Sequence, residues 1–450
     1  MRRKLYNRLL EWKARSHGQS ALLIEGARRV GKSWLAEEFA KKEYDAYLLI
    51  DFNYAEKEIH DLFRNYLRNL DMLFSKLLNA YGVVLPPKKS LIIFDEIQLC
   101  PHARQALKAL VADGRYDYLE TGSLVSLREN TSQILLPSEE DSVTLHPMDF
   151  EEYLWAIGEQ MLFDHIRQCF EEKQPLGGAL HRKAMDYLRE YMIIGGMPQV
   201  VADYTQNHDM LASDTLKRRI LRLYRDDMAK HAKRYSLKVR QLFDDIPSQL
   251  QTHDRRFHPT QLDKTAKLRD YDDAIFWLQD AQIVTPCFNA QDPNVGLKAN
   301  MERTALKCYM ADTGLLISHT FNENALKAEE IHRRLLCQSI EINQGMFMEN
   351  LIAQMLTANE HPLFFFTHPR EQSRQEEMEI DFLITKPHIS QRHNISPLEV
   401  KSGKRYSLTS LNKFRNKYKD YVATPYVLHS GDLKIQDDVT FLPIYMTPFL

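Results

Sequence analysis

The sequence predicts an α/β chain in three parts: a phosphate-loop domain, a helical middle that ends in a winged-helix-like shape, and a second α/β domain at the tail. Three observations lead there. The octapeptide "GARRVGKS", Gly26 to Ser33, leaves the apolar run "ALLIEG" and enters "WLAEEFAKK". Short apolar runs then alternate with longer amphipathic stretches over the first 150 residues, the pattern of a mainly parallel sheet. Strand-like runs return after about Ala311. A chain of 450 residues also exceeds what one hydrophobic core usually organises.

The elements follow in order. "ALLIE", "YLLIDF", "LIIFDE", "YDYLE" and "VTLHP" read as strands of the first domain. From "DFEEYLWAIG" to about Arg240 the pattern is helical, broken by "KQPLGG" and by "IIGGMP", where Gly195 and Gly196 mark either a hinge or a helix end before Pro198. "YDDAIFWLQDAQIVTPCFNA" is a helix running into a strand, which suits a winged helix. The tail offers a helix, "QGMFMENLIAQML", and strands "PLFFFT", "MEIDFLI", "ISPLEVK" and "TPYVLH". The expected domains are 1–155, 156–305 and 306–450.

Composition excludes several classes. With 44% hydrophobic and 27% charged residues the chain is of ordinary globular type, and its formal charge of -2 means that any basic surface is local. Ten Lys or Arg fall between Lys217 and Arg240, and seven between Lys401 and Lys419, where Tyr406, Phe414 and Tyr418 are interleaved. Each run is either a solvated helix face or a track for a phosphate backbone. The five cysteines are spread without CxxC spacing, so neither a disulfide framework nor a zinc site is expected. His231, His253 and His258 lack ligand spacing and read as surface residues. No apolar run of membrane-spanning length occurs, and the expected setting is cytoplasmic, with no membrane partner.

The octapeptide has the form of a phosphate-binding loop. Gly26 and Gly31 let the backbone curl through Ala27, Arg28, Arg29 and Val30, so that successive N–H groups and a helix N-terminus face phosphates. Lys32 would reach the β and γ phosphates of ATP, Ser33 would ligate Mg²⁺, and Trp34 would follow on the apolar side of the helix with Leu35 and Phe39. Asp95 and Glu96 end the strand "LIIFDE", 63 residues after Lys32. Asp95 would hold Mg²⁺, and Glu96 would polarise the attacking water. Thr121 and Ser123 end the strand of "YLETGS", where a polar side chain could sense the γ phosphate.

"GARRVGKS", "LIIFDEIQ", "ETGS" and "HPMDFEEYL" resemble the AAA+ domain of a large prokaryotic family of ATP-binding proteins that couple it to a C-terminal domain of unknown function. "YMIIGGMPQVV", "KCYMADTGLL", "GMFMENLIAQML", "EIDFLI", "LEVKSG" and "SLTSLNKF" are similar to the same family. The resemblance implies an AAA+ core, a helical and winged-helix middle, and a restriction-endonuclease-like α/β tail. Such proteins commonly carry a Gly-Arg pair before "HPMDF"; here the chain reads "LLPSEEDSVTLHP", with Ser138 and Glu139 near that place. An arginine finger serving a neighbouring subunit of a homo-oligomer would have to come from elsewhere, such as Arg128.

Strand alternation puts Glu399 and Lys401 of "PLEVKSG" on one face, as on any polar edge strand. With Asp381 in "EIDFLI" and Glu349 on the preceding helix, the set resembles the PD-(D/E)XK nuclease core. That resemblance implies that Asp381, Glu399 and Glu349 hold Mg²⁺ and that Lys401 orients or activates water at a phosphodiester of DNA, or less readily RNA. Two functions are therefore expected: an ATPase controlling a nuclease, or an ATP-gated switch whose tail binds nucleic acid or a partner and cuts nothing. A small-molecule kinase would leave the tail unexplained.

Overall fold

The computed structural model describes residues 1–123, 138–252, 254–262, 264–294, 296–321, 344–368, 377–385, 394–403 and 406–450. These form two compact units, one of Met1–His146 with Asp280–Gln282, the other of Pro147–Gln279 with Ile283–Leu450. Arg128, His253, Cys337, Lys404 and Arg405 lie outside the described residues.

The first unit is a parallel sheet flanked by helices. Its elements run α1 (Leu5–Ser16), β1 (Ala21–Glu25), α2 (Lys32–Glu43), β2 (Ala46–Asp51), α3 (Lys57–Asn65), α4 (Leu70–Tyr81), β3 (Ser90–Asp95), α5 (Pro101–Asp113), β4 (Asp117–Gly122) and β5 (Glu140–Thr144). The strand order is β2-β3-β4-β1-β5, all parallel. Every residue of β3 is buried, which is why its centre, "LIIF", is a continuous apolar run rather than an alternating one. Ile92, Phe94 and Tyr118 meet Ile59 and Phe63 of α3, Phe74 of α4 and Leu107 of α5. Pro101 opens α5, where its missing N–H is harmless, and Gly114 closes it in the left-handed region at φ 69°.

The second unit begins with helices α6 (Phe150–Ala156), α7 (Gln160–Glu171), α8 (Gly178–Ile194), α9 (Pro198–Asn207), α10 (Met210–His231), α11 (Ser236–Gln251) and α12 (Asp272–Asp280). Asp149 and Glu152 form a capping box on α6, and Asp209 caps α10. Then come β6 (Val284–Ala290), β7 (Met301–Met310), α13 (Thr313–Thr320), α14 (Gln344–Ala358), β8 (Phe364–His368), β9 (Met378–Thr385), β10 (Ile395–Lys401), α15 (Thr409–Lys417), β11 (Tyr426–His429), β12 (Lys434–Gln436) and β13 (Val439–Pro443).

One mixed sheet, ordered β12-β13-β11-β10-β9-β8-β6-β7, holds all eight of these strands. The β6–β7 hairpin that a winged helix requires is present and antiparallel, but β6 also pairs with β8, so the hairpin extends the tail's sheet. The boundary expected between residues 305 and 306 falls inside β7. Backbone pairing, which composition cannot reveal, joins the two segments.

The "IIGGMP" turn is a helix end under tight packing. Gly195 follows α8 at φ 83°, ψ -174°, a region open to glycine. The Gly196 carbonyl accepts from Met148 N at 2.7 Å, and its N–H donates to Asp312 Oδ2 at 2.5 Å. Asp312 also caps α13 through Leu315 N.

Candidate functional site

In the first unit the site lies where parallel strands end together. Parallel register sets Glu25 beside Gly122 and Ile24 beside Thr121, while Phe94 pairs with Glu120. The carboxyl ends of β1, β3 and β4 therefore share one edge, the usual place for a ligand in an open α/β sheet. Lys32, Asp95 and Thr121, far apart in sequence, meet for that reason.

The loop from Gly26 to Gly31 needs its glycines. A Cβ on Gly26 would lie 2.6 Å from the Leu145 carbonyl oxygen and 3.0 Å from Val30 Cγ2. Gly31 precedes α2 at φ 95°, and Arg29 is also left-handed at φ 73°. Lys32 is 6% exposed, and its ammonium donates to the carbonyls of Gly26 and Ala27 at 3.0 and 3.1 Å. Burial pulls it below the usual lysine range, while Glu96 and Asp95 oppose that shift. Arg28 and Arg29 are exposed, whereas Ala27 and Val30 are buried. Trp34 departs from the expected buried side of α2, being 45% exposed, because Leu35, Ala36, Phe39 and Ala40 form the inward stripe.

Three side chains link the loop to the other strands. Ser33 Oγ donates to Asp95 Oδ1 at 2.8 Å, and Thr121 Oγ1 donates to the same oxygen. Thr121 also accepts from Glu96 N at 3.3 Å. Glu96 is left-handed at φ 54°, and its Oε2 accepts from Gln98 Nε2. Thr121 is fully buried, so its hydroxyl is spent on Asp95 and Glu96, which differs from the expected sensing role at a phosphate. Ser123 lies just past β4 and is half-buried. The hydroxyl of Ser33 and the carboxylate of Asp95, oxygen to oxygen, are a donor set suited to Mg²⁺. Nothing in the spacing pointed to Gln98; its signal is only its place two residues beyond Glu96.

The tail carries a second cluster. The β9–β10 ladder ends at the pair Leu398 and Phe382, and beyond it Asp381 Oδ2 accepts from Val400 N at 2.7 Å. Glu399, 2% exposed, pairs with Lys401, and its Oε1 has no hydrogen-bond partner. Burial pushes its carboxyl up to about 7, against the pull of Lys401. Asp381, Glu399 and Lys401 are thus neighbours.

Glu349 is engaged differently. Fully buried on α14, it accepts from Tyr309 OH, pairs with Arg255, and lies 3.4 Å from Lys307 Nζ. Lys307, itself 1% exposed, also bridges to Glu379 at 3.0 Å. Among the described residues no group of three His, Cys, Asp or Glu side chains is arranged to hold a metal ion. The expected shell of Glu349, Asp381 and Glu399 therefore does not converge, because Lys307 on β7 and Arg255, both distant in sequence, take the helix carboxylate.

Part of the first basic run is engaged internally, while Arg219, Arg222, Lys230 and Arg234 are exposed. Lys217 is fully buried and donates to the Ile193 carbonyl at 2.7 Å; burial draws its amine down to about 8, against Asp214 and Asp312. Arg218 pairs with Asp214, and Arg225 and Arg240 with Asp244. Phe414 is fully buried against Phe366 and Tyr418, a core contact rather than a platform for bases. His258 pairs with Asp254, and His231 is half-buried. Cys100, Cys169, Cys287 and Cys308 are buried free thiols. No helix among the described residues is long and apolar enough to cross a membrane.

Comparison with known proteins agrees with the fold of the first unit. Residues 18–154 match the AAA domain family model. Residues 185–326 and 344–447 match two domains of unknown function, DUF8612 and DUF4143. No curated protein matches the chain. Among solved structures, PCH-2 of C. elegans is similar at 15% identity and TM-score 0.18, over 37% of this chain and 44% of that one. A STAND protein with a tetratricopeptide repeat sensor, PH0952 from Pyrococcus horikoshii, is similar at 11% identity and TM-score 0.26, over 77% of this chain and 47% of that one. The chain spans less than half the length of either. The first unit therefore has the α/β fold, with its parallel sheet, of a P-loop AAA domain.

Proposed function

We propose that the chain is an ATP-hydrolysing switch whose tail is a nuclease-like module used for binding. The observation that carries the first half is the hydrogen-bonded run Ser33–Asp95–Thr121 beside Lys32 in the loop. In this reading the loop N–H groups and Lys32 cradle the phosphates of ATP. Ser33 and Asp95 would hold Mg²⁺, which supplies charge neutralisation at the phosphates. Glu96 takes a proton from the attacking water, and Gln98 and Thr121 fix its carboxylate and its backbone. Lys32→Ala is expected to lose ATP binding, and Glu96→Gln to bind ATP while hydrolysis falls about 100-fold or more. Wild-type turnover in Lys32→Ala would refute the assignment.

For the tail, the order α14, β8, β9, β10, α15, β11 supports the nuclease-like fold, with β8–β9–β10 antiparallel and β11 parallel to β10. The engagement of Glu349 by Lys307, Tyr309 and Arg255 favours a module that binds without cutting. Nucleic acid, DNA before RNA, is the first partner to test. Cleavage is the second reading, favoured by the adjacency of Asp381, Glu399 and Lys401. Labelled DNA and RNA incubated with Mg²⁺ or Mn²⁺, with and without ATP, separates the two. Cutting that vanishes in Lys401→Ala would establish the nuclease and overturn the binding-only reading.

A further inference from the structure

Arg3 lies outside every motif of the sequence, yet it is 5% exposed and reaches two distant carbonyls. Its Nη1 donates to the Val30 carbonyl, inside the phosphate loop, at 2.8 Å. Its Nη2 donates to the His146 carbonyl, two residues past β5, at 2.6 Å. The beginning of the loop is held to the same segment by other means. Leu145 N donates to the Glu25 carbonyl at 2.7 Å, and the Leu145 oxygen packs so closely on Gly26 that a Cβ there would sit 2.6 Å away. Both ends of the loop are thereby tied to Leu145 and His146, and the tie at the Val30 end is the Arg3 guanidinium.

The chemistry of that tie bears on anion binding. A trans peptide is planar, with its C=O and N–H pointing oppositely. Fixing the Val30 carbonyl toward Arg3 therefore fixes the Gly31 N–H the other way, away from Arg3. Gly31 carries no side chain to set the peptide's orientation, and its φ of 95° is open at little cost only to such a residue. A charged donor on the Val30 carbonyl, anchored through its second nitrogen on the His146 carbonyl, is a strong restraint on such a peptide. From this geometry we infer that Arg3 is a positioning residue for nucleotide binding: it presets the Val30–Gly31 peptide so that the Gly31 N–H faces the phosphates. The inference rests on the ATP-binding reading of the loop.

The test uses the full chain and a fluorescent ATP analogue, with Arg3→Ala and Arg3→Lys beside the wild type. Lysine keeps the charge but reaches one carbonyl at most. The expected result is a dissociation constant raised about ten-fold in Arg3→Ala and by less in Arg3→Lys, for ATP and ADP alike. At saturating ATP the turnover of both variants should stay within about two-fold of wild type, because Glu96 and Asp95 are untouched. The gain in melting temperature on adding nucleotide should shrink in the same order. Wild-type affinity in both variants would overturn the positioning role, as would a loss confined to turnover. Should Arg3→Ala fail to fold, Arg3→Lys decides alone. A wild type that binds no nucleotide would instead overturn the reading on which the inference rests.

Discussion

Replacing Gly196 by alanine tests whether the second unit is organised around the "IIGGMP" turn. A Cβ at that position would lie inside the contact shell of the Met148 carbonyl oxygen, 2.8 Å from Met148 N and 3.0 Å from Met148 C. These are backbone atoms beside the capping box of α6, so no side chain can swing aside. Relief requires the turn to move away from Met148, which breaks the 2.7 Å bond from Met148 N to Gly196 O and strains the 2.5 Å bond to Asp312. Overpacking costs about 1–3 kcal/mol and each lost hydrogen bond about 1 kcal/mol, so the expected loss is about 2–5 kcal/mol. That is a large share of a domain's stability. Gly178→Ala is the control: it lies in the first turn of α8 with nothing within 4 Å of the added carbon, and should be neutral or stabilising by up to about 1 kcal/mol. Urea unfolding followed by tryptophan fluorescence reads both, since Trp155 and Trp277 report on this unit. A loss below about 1 kcal/mol in Gly196→Ala would refute the packing argument.

Glu120 sits fully buried on β4 with neither carboxylate oxygen paired, and burial together with Glu140 raises it well above the ordinary glutamate value, against the pull of Arg104. A carboxyl raised in the folded state contributes stability that is complete below its unfolded value and is lost as pH climbs toward the folded one. Melting temperature should therefore fall less between about pH 5 and 8 in Glu120→Gln than in the wild type; equal falls would count against a neutral Glu120. Thr121→Val keeps the shape of the site but removes the hydroxyl from Asp95 and Glu96, so steady-state ATPase kinetics should show kcat lowered about ten-fold with KM little changed. A normal kcat would remove Thr121 from the catalytic arrangement. Phe414→Ala should destabilise the tail by about 3–5 kcal/mol in urea unfolding; a stable variant with weakened nucleic-acid binding would restore Phe414 as a base platform.

The legibility of each site followed from how local its determinants are. Glycines, lysine and serine of the phosphate loop are contiguous, and an apolar strand ending in Asp95 and Glu96 announces itself through burial on both faces. The sequence by itself therefore determined the loop, the succession of strands in the first domain and the shared face of Glu399 and Lys401 on one strand, because periods of 2 and 3.6 residues are written in neighbouring positions. It also named Glu349 and the basic runs, but not what they touch. Only the tertiary structure gave Glu349 to Lys307, Tyr309 and Arg255, buried Lys217 against the Ile193 carbonyl, turned Phe414 into the core, and brought Arg3 to Val30. Charges are paired through space, and whether a carboxylate meets a metal or a lysine is decided by the strand that folding places beside it, here β7, some forty residues away in sequence.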